Sequence, residues 1–320
     1  MPTHTRLKGV SSVFDSQLSD QLEANLVGFF QWGFLGVGGF FNVTVPQSGV
    51  YGGKESRLRP VYDPNYTDGQ VWEAFRKDWV WETGVEYDHQ PIRVSGVYVD
   101  GVFHAVNETG AYAHHIDYPN GRVVFDNPIS TGCVVEAEYS YRLFQLYTAD
   151  TEWWQKIQTR SFRVDDPHFL QWGSGEWDIL AQNRVQLPAI IVEAVPNVAS
   201  RQGFEIGNSV QTVQQDVLFH VLAEDRFYFK WLHDTITNQK DKRFIGFDKN
   251  RMLAADAFPL NQDGSPRESG MMYPDLVKPS GEGGYGWRQL RVEDSRSTEQ
   301  PRLGSVHYCT VRLRIGIDLP

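Results

Sequence analysis

The chain has 320 residues, a formal net charge of −10 and two cysteines, Cys133 and Cys309. This length suits about two domains, while the acidic charge disfavours a protein that grips nucleic acid, because such a chain gains nothing from counterion release. Two cysteines exclude a disulfide scaffold and a four-thiolate zinc site. The longest apolar run, at 26–41, is too short and too rich in glycine to span a membrane.

The first predicted element is a helix within residues 11–35, followed by a short strand at 40–45. Apolar residues recur at every fourth position of the helix, which places them on one face. They are Phe14, Leu18, Leu22, Leu26 and Phe30. Three aromatic residues at the end of this helix, Phe29, Trp32 and Phe34, need cover. Either later parts of the same chain or a neighbouring subunit would supply it.

A loop rich in glycine and proline is expected at 48–69. The next stretch, 70–84, has apolar residues at helical spacing and predicts a second helix. These residues are Val71, Phe75 and Trp79. Residues 1–84 are therefore expected to form an N-terminal region of helix and loop that serves intersubunit contacts.

From residue 92 the pattern changes to the alternation of β-strands. Two tight-turn signals, Asp100-Gly101 and Asn120-Gly121, separate alternating stretches, and such pairs are strong indicators of β-hairpins. Another alternating stretch follows at 133–147. Residues 85–148 are predicted to form a small antiparallel β-sandwich.

This module contains the clearest candidate for a metal site, at His114, His115 and Asp117. His115 and Asp117 fall on one face of a strand and His114 on the other, because side chains alternate. A divalent metal needs three or four convergent ligands, and the nearest further candidate is His104. The pattern therefore favours histidines with ordinary surface partners over a metal site.

The second half begins with a bridging segment at 149–186 and continues with a predicted α+β domain at 187–320. Its expected elements are a buried apolar strand, an alternating strand, a helix and a final alternating strand. They lie at 187–195, within 210–225, at 224–242 and at 307–318, with one more short strand at 244–248.

An unusually long, turn-rich segment at 258–286 interrupts this domain. Loops of this length are normally functional or disordered, and its interior apolar residues argue against disorder. They include Met271, Met272, Tyr273 and Leu276. The sequence therefore predicts a long extended arm, which would form either a hairpin or a surface laid across a neighbouring subunit.

No catalytic constellation stands out in the sequence. There is no nucleophile elbow, no Walker A lysine and no matching dinucleotide loop. Adjacent acids such as Asp165-Asp166 favour a solvated turn over a glycosidase pair. Trp153 and Trp177 could form a platform for sugars, although packing between domains or subunits is the more ordinary role. We therefore expect no enzymatic activity and no cofactor.

The order of elements in the C-terminal half resembles ring-forming proteins at the head–tail junction of tailed bacteriophages, the neck and tail terminator families. The resemblance covers about residues 185–320 and rests on "LPAIIVEAV", "QQDVLFHVLAED", "RFYFKWLHDTITNQKDK" and the final strand. The N-terminal half, with "VYVDGVFHAV" and "IDYPNGRVVFDNPISTGCVVEAEYSY", is similar to small β-modules attached to phage virion proteins.

This resemblance implies a structural protein of the virion that is assembled in the host cytoplasm. It implies a homo-oligomeric ring of six or twelve copies, which joins the connector to the tail and contacts connector, tail tube or sheath proteins. DNA would pass through the ring without specific binding, and no membrane would be involved. A tail or baseplate protein with a carbohydrate-binding β-module is the alternative.

The predicted intersubunit contacts follow from these expectations. Closed rings use two different faces of each copy, and the apolar side chains without obvious cover are the natural candidates. These are Phe29, Trp32, Phe34, Met271, Met272, Tyr273 and Leu276.

Overall fold

A computed structural model describes residues 14–45, 55–151, 154, 186–202, 211–299 and 306–319. The α+β class is confirmed: two large sheets are accompanied by a few helices. Helix α1 is Phe14–Leu35, α2 is Arg226–Thr237, α3 is Lys249–Ala254 and α4 is Tyr273–Leu276.

The first sheet is formed by seven short strands. In spatial order they are β5 (Val102–Ala105), β4 (Gly96–Val99), β8 (Val135–Ala137), β2 (Arg57–Pro60), β3 (Val71–Glu73), β7 (Arg122–Phe125) and β6 (His114–Asp117). All neighbours are antiparallel. The sheet curls around a core that contains Trp72, Trp79 and Tyr139.

The predicted turn between β4 and β5 is confirmed. Asp100 and Gly101 both have positive φ, at 49° and 83°, as a tight two-residue hairpin turn requires. Gly121, between β6 and β7, also has a positive φ of 62°. Local turn chemistry was therefore a reliable guide to both hairpins.

The prediction of a helix at 70–84 is wrong. Val71 pairs with Val124, so this stretch begins with the interior strand β3, and the chain continues as loop and turn. Trp79 is buried while Phe75 is 64% exposed, which a single helical face would not produce. Two central strands thus precede residue 85, and the module extends beyond the predicted range of 85–148.

The second sheet has six strands, most of them long. In spatial order they are β10 (Gln145–Thr148), β11 (Ala189–Gln202), β12 (Gln211–Ala223), β15 (His307–Leu319), β14 (Gly286–Glu299) and β13 (Arg243–Phe247). β10 and β11 are parallel and the other pairs are antiparallel. A two-stranded ribbon, β1 (Phe40–Val43) with β9 (Tyr139–Arg142), leads from one sheet to the other.

Strict alternation puts one face of the six-stranded sheet into the largest apolar core. Two helices cover this face. α2 begins at its N-cap Asp225, whose carboxylate accepts hydrogen bonds from the amides of Phe227 and Tyr228, and its Leu232 and Ile236 are buried. α1 lies beside it, with the predicted stripe that includes Leu22, Leu26 and Phe30 pointing into the core.

Chain order and spatial order therefore differ. α1 comes from the predicted N-terminal region but packs on strands of the C-terminal half. Its Asn25 side chain also bonds β13, donating to the Phe247 carbonyl at 2.9 Å and accepting from the Phe247 amide at 2.6 Å. The helix is a structural part of the second domain.

The segment 258–286 folds back on its own chain. Its turn meets the β6–β7 hairpin, where the Tyr118 amide donates to the Gly264 carbonyl at 3.2 Å. Further on, α4 packs against α1, and Gly28 leaves room for the Tyr273 ring, which a Cβ atom at that position would approach to 3.0 Å. The segment braces the two halves within one chain, which differs from the expected arm.

Candidate functional site

The second face of the six-stranded sheet, opposite the face that α1 and α2 cover, is its functional candidate; among the described residues, the helical Trp154 packs on one end of it. The alternation that buries Val311, Leu313 and Ile315 turns the intervening residues of β15 to this open face. The two strands that flank β15 each place a carboxylate opposite Arg314. Asp216 lies opposite it on β12, and Asp294 lies opposite it on β14.

A ladder of arginines and carboxylates crosses this face. Arg314 Nε donates to Asp216 Oδ1 at 2.9 Å, and Arg296 Nε donates to Asp294 Oδ2 at 2.7 Å. Arg312 lies between the two acids, 3.5 Å from Asp216 and 3.9 Å from Asp294. Desolvation alone would raise the pKa of Asp294, but Arg296 and a backbone amide bring it below its ordinary value.

A histidine cluster occupies one end of the same face. His220 Nε2 lies 2.9 Å from Glu193 Oε2, and His220 Nδ1 lies 3.0 Å from the Tyr308 hydroxyl and 3.2 Å from Thr310 Oγ1. Desolvation lowers the pKa of His220, although Glu193 opposes the shift. The neutral ring can then donate to Glu193 and accept from a hydroxyl.

Trp154 covers this histidine, with its ring centroid 4.6 Å from that of His220, and only 1% of Trp154 is exposed. A neutral imidazole next to a hydroxyl has the chemistry of a general base. Here both ring nitrogens are engaged by the protein and the ring is covered, so the cluster serves to hold Trp154 on the sheet. Sequence reasoning missed it because the cluster depends on the register of β11, β12 and β15.

Among the residues that the structure describes, the six-stranded sheet also has two open edges. β10 pairs with β11 only along Ala189–Val192, and β13 pairs with β14 only along Gly286–Arg291. Along 195–202 and 293–299, no described strand pairs with the outer side of β11 or β14. These stretches lie at opposite edges and opposite ends of the sheet.

The predicted intersubunit contacts are largely covered by their own chain. Phe34 is 1% exposed and Leu276 is 4% exposed, so neither offers a surface to a neighbour in this conformation. Phe29 stacks on Phe244 with ring centroids 4.5 Å apart. The remaining candidates, Trp32, Met271, Met272 and Tyr273, are half-buried, and all but Met272 pack on apolar clusters of the chain.

The histidines of the β-module have separate partners. His104 Nδ1 lies 3.1 Å from Glu108, and His114 Nδ1 lies 2.8 Å from the Tyr112 carbonyl. Asp117 accepts from the Asn120 side chain at 2.8 Å. His114 is buried, which differs from the expected surface position, and desolvation lowers its pKa. No group of three or more potential metal ligands occurs in the described part of the chain.

The proposed sugar platform, Trp153 and Trp177, lies outside the described residues. A different aromatic row is exposed beside the β1–β9 ribbon. The Phe41 ring stacks on Tyr141 at 6.0 Å, and the Arg76 guanidinium lies 5.4 Å from the Tyr141 and Phe75 rings. Phe41 and Phe75, at the two ends, are 54% and 64% exposed.

Comparison with protein-family models and with curated proteins finds no match for the chain. Of the helices that the structure describes, none combines the length and the apolar character needed to cross a membrane. The open face, the open edges and the exposed aromatic row are therefore the features that bear on function.

Proposed function

We propose that this chain is a structural protein of a tailed-bacteriophage virion, without catalytic activity, that assembles with copies of itself into a ring at the head–tail junction. In this role it joins the connector to the tail, and DNA passes through the ring. The resemblance of the C-terminal half supports this proposal, as does the observed six-stranded sheet with α1 and α2 packed on one face.

The two open edges carry the proposal. Unpaired strand edges readily pair with another chain. In the order β11, β12, β15, β14 every neighbour is antiparallel, so β14 of one copy would meet β11 of an equally oriented copy in antiparallel fashion. The two surfaces are different, which makes the contact heterologous and able to close into a ring.

The positions of the open stretches add a geometric condition. Residues 195–202 lie at one end of the sheet and 293–299 at the other, so paired copies are displaced along the strand direction. Closing a sheet into a cylinder requires a stagger of this kind. The short strands β10 and β13 would then limit how far the neighbour can slide.

The test is the assembly state of the purified chain across a concentration series, measured by light scattering and by electron micrographs. We expect closed rings of six or twelve copies. Ser297→Pro and Thr298→Pro probe the β14 edge as a matched pair, because successive amides of a strand point to opposite sides. Circular dichroism identifies the variant that keeps the fold.

Of the two proline variants, the one that keeps the fold has lost an amide that faces the open edge. We expect this variant to stay monomeric. A wild-type chain that is monomeric at every concentration would overturn the ring. A folded proline variant that assembles like the wild type would overturn the edge contact. Antibody labelling of tailed particles tests the location: the label is expected at the head–tail junction, and a label at the baseplate would contradict the proposal.

The exposed aromatic row favours a second candidate, a tail or baseplate protein whose β-module binds carbohydrate. Exposed aromatic faces can stack on sugar rings, and Gln186 places an amide group beside the row, where its Nε2 donates to the Phe75 carbonyl at 3.4 Å. A glycan-array signal that disappears in Phe75→Ala and persists in Phe227→Ala, another exposed phenylalanine, would favour this role. Loss of signal in neither variant would argue against it.

A further inference from the structure

The arginines of the open face are presented differently from their acidic partners. The side chains of Arg296, Arg314 and Arg312 are 72%, 34% and 32% exposed, whereas Asp294 and Asp216 are 25% and 18% exposed. The carboxylates therefore lie lower, and the guanidinium groups form the outer layer. A chain with a net charge of −10 thus presents cations to solvent on this face.

The register of this face places two like charges together. Arg296 pairs directly with Arg312 across β14 and β15. Like charges at directly opposite positions destabilise a sheet, and here Asp294 compensates both. Arg291, 48% exposed and 2.5 Å from Glu293, extends the row along β14.

An acidic protein and a solvated polyanion would both fit a row of cations. The composition of the face distinguishes between these two kinds of partner. The centre of a stable protein interface is depleted of charge and enriched in aromatic anchors. None of the strongly exposed large apolar side chains in the described residues lies on β12, β14 or β15. A face of this kind suits a solvated polyanion, whose phosphates the planar guanidinium fork matches.

We infer that the Arg291–Arg296–Arg312–Arg314 row contacts the phosphate backbone of double-stranded DNA, weakly and without regard to sequence. The inference rests on the proposed function, since the open face is the one that could line a channel when the helices lie outside. It also refines the expectation from net charge: the chain as a whole repels DNA, while one face of the sheet touches it.

The ion pairs set the strength of this contact. Each guanidinium is partly neutralised by a carboxylate, so DNA gains less than it would from unpaired arginines and can still move. If all four arginines meet phosphates, the logarithm of the binding constant should fall with the logarithm of salt concentration with a slope of about −3 to −4 at most.

The experiment measures binding of a fluorescent double-stranded DNA of mixed sequence to the purified chain at low salt, by anisotropy. We expect Arg296→Gln and Arg312→Gln to weaken binding about threefold to tenfold each. Asp294→Asn removes the shared carboxylate and should strengthen binding by a similar factor. Lys278→Gln is the matched control, because Lys278 is 50% exposed and paired with Asp275 in the 258–286 segment.

A gain of affinity in an Asp294→Asn variant whose circular dichroism matches the wild type keeps the inference open to refutation if an arginine variant unfolds. Absence of wild-type binding at low salt, or an equal loss in Lys278→Gln, would overturn it. A polyglutamate of matched charge that binds as tightly as DNA would point to an acidic protein partner instead. Assembly is measured separately, so rings without DNA binding refute only this inference, while DNA binding without rings refutes only the proposed ring.

Discussion

The two sheets of this protein are stabilised in different ways. The six-stranded sheet has strands of up to 14 residues and buries a continuous apolar face under two helices. The seven-stranded sheet has strands of three or four residues, and buried ion pairs and tryptophans lie within and beside it. Long regular strands are stabilised mainly by apolar burial, whereas the short strands depend on specific side-chain partners.

The ion pairs themselves come in two kinds. In the seven-stranded sheet, Arg122 bonds Glu73 and Asp63, and Lys77 adds a second cation 3.8 Å from Glu73. At the entry to the six-stranded sheet, Arg142 bonds Glu82 at 2.5 Å and Asp78 at 2.5 Å without a second described cation. The first cluster is balanced, because it contains two cations and two carboxylates. The second contains one cation and two carboxylates, and therefore carries one excess negative charge.

The largest expected effect is in the apolar core of the six-stranded sheet. Phe34 is buried against Phe144, with ring centroids 4.5 Å apart, and against Trp231. Phe34→Ala should lower the free energy of unfolding by about 3–5 kcal/mol, because it removes buried area and leaves a cavity. Urea unfolding followed by circular dichroism measures this loss.

Phe75→Ala is the matched control, because Phe75 is 64% exposed and should lose less than about 0.5 kcal/mol. Equal losses in the two variants would show that α1 is not held on the sheet as described. They would also reopen Phe34 as a contact for a neighbouring copy.

The unbalanced cluster should make stability depend on pH in one direction. Burial raises the pKa of Asp78 to about 6, with Glu82 adding to the shift and Arg142 opposing it. A folded-state pKa above the unfolded value means that the contribution is present at low pH and is lost as the pH rises from about 4 to about 6. Asp78→Asn should remove this loss and stabilise the chain at pH 7 by about 1–2 kcal/mol.

Thermal unfolding of wild type and variant between pH 4 and pH 7 measures the difference. Asp63→Asn, in the balanced cluster, should instead destabilise the chain at pH 7, because it removes a partner of Arg122. A stabilising effect from both substitutions would remove the distinction between the two clusters.

The contribution of His220, on the open face, to stability should change with pH in the opposite direction. Desolvation lowers the pKa of His220, so the folded chain binds a proton less readily than the unfolded chain. Stability is therefore complete above the ordinary histidine pKa of about 6.5 and is lost as the pH falls below it. His220→Gln should reduce this acid loss, as read from unfolding at pH 7 and pH 5.

His233→Gln provides the control, since His233 lies on α2 beside the exposed Asp234 and is not part of this cluster. Trp154 gives a further readout, because it stacks on His220 and its fluorescence should change together with stability. An acid loss that persists unchanged in His220→Gln would place its origin elsewhere, for example at the buried His114.

The contrast between long and short strands also explains which elements the sequence could predict. β15 and α2 were predictable because strict alternation and an amphipathic stripe extend over many residues. β3 was not, because a three-residue strand has too few positions to separate a period of 2 from one of 3.6. The hairpins around Asp100-Gly101 and Asn120-Gly121 were recognised because turns carry their own local signal.

The candidate site was harder to predict, since it depends on which strands become neighbours. Arg296 and Arg312 are 16 positions apart and meet only through the register of β14 and β15. Glu193 and His220 likewise meet through β11 and β12. Cover for the aromatic residues of α1 was equally invisible, because Phe244 and Tyr273 reach them only after the chain folds back.

The smallest expected effect on stability lies on the open face. Arg296 is 72% exposed, and surface ion pairs contribute little because water and salt screen them. Arg296→Gln should therefore change the free energy of unfolding by less than about 0.5 kcal/mol while it weakens DNA binding. If Arg296 served stability instead, its substitution would lower the free energy of unfolding and leave DNA affinity unchanged. Urea unfolding and anisotropy on the same preparation distinguish the two roles, and a loss of stability above about 1 kcal/mol without a change in DNA affinity would assign the arginine row to the fold alone.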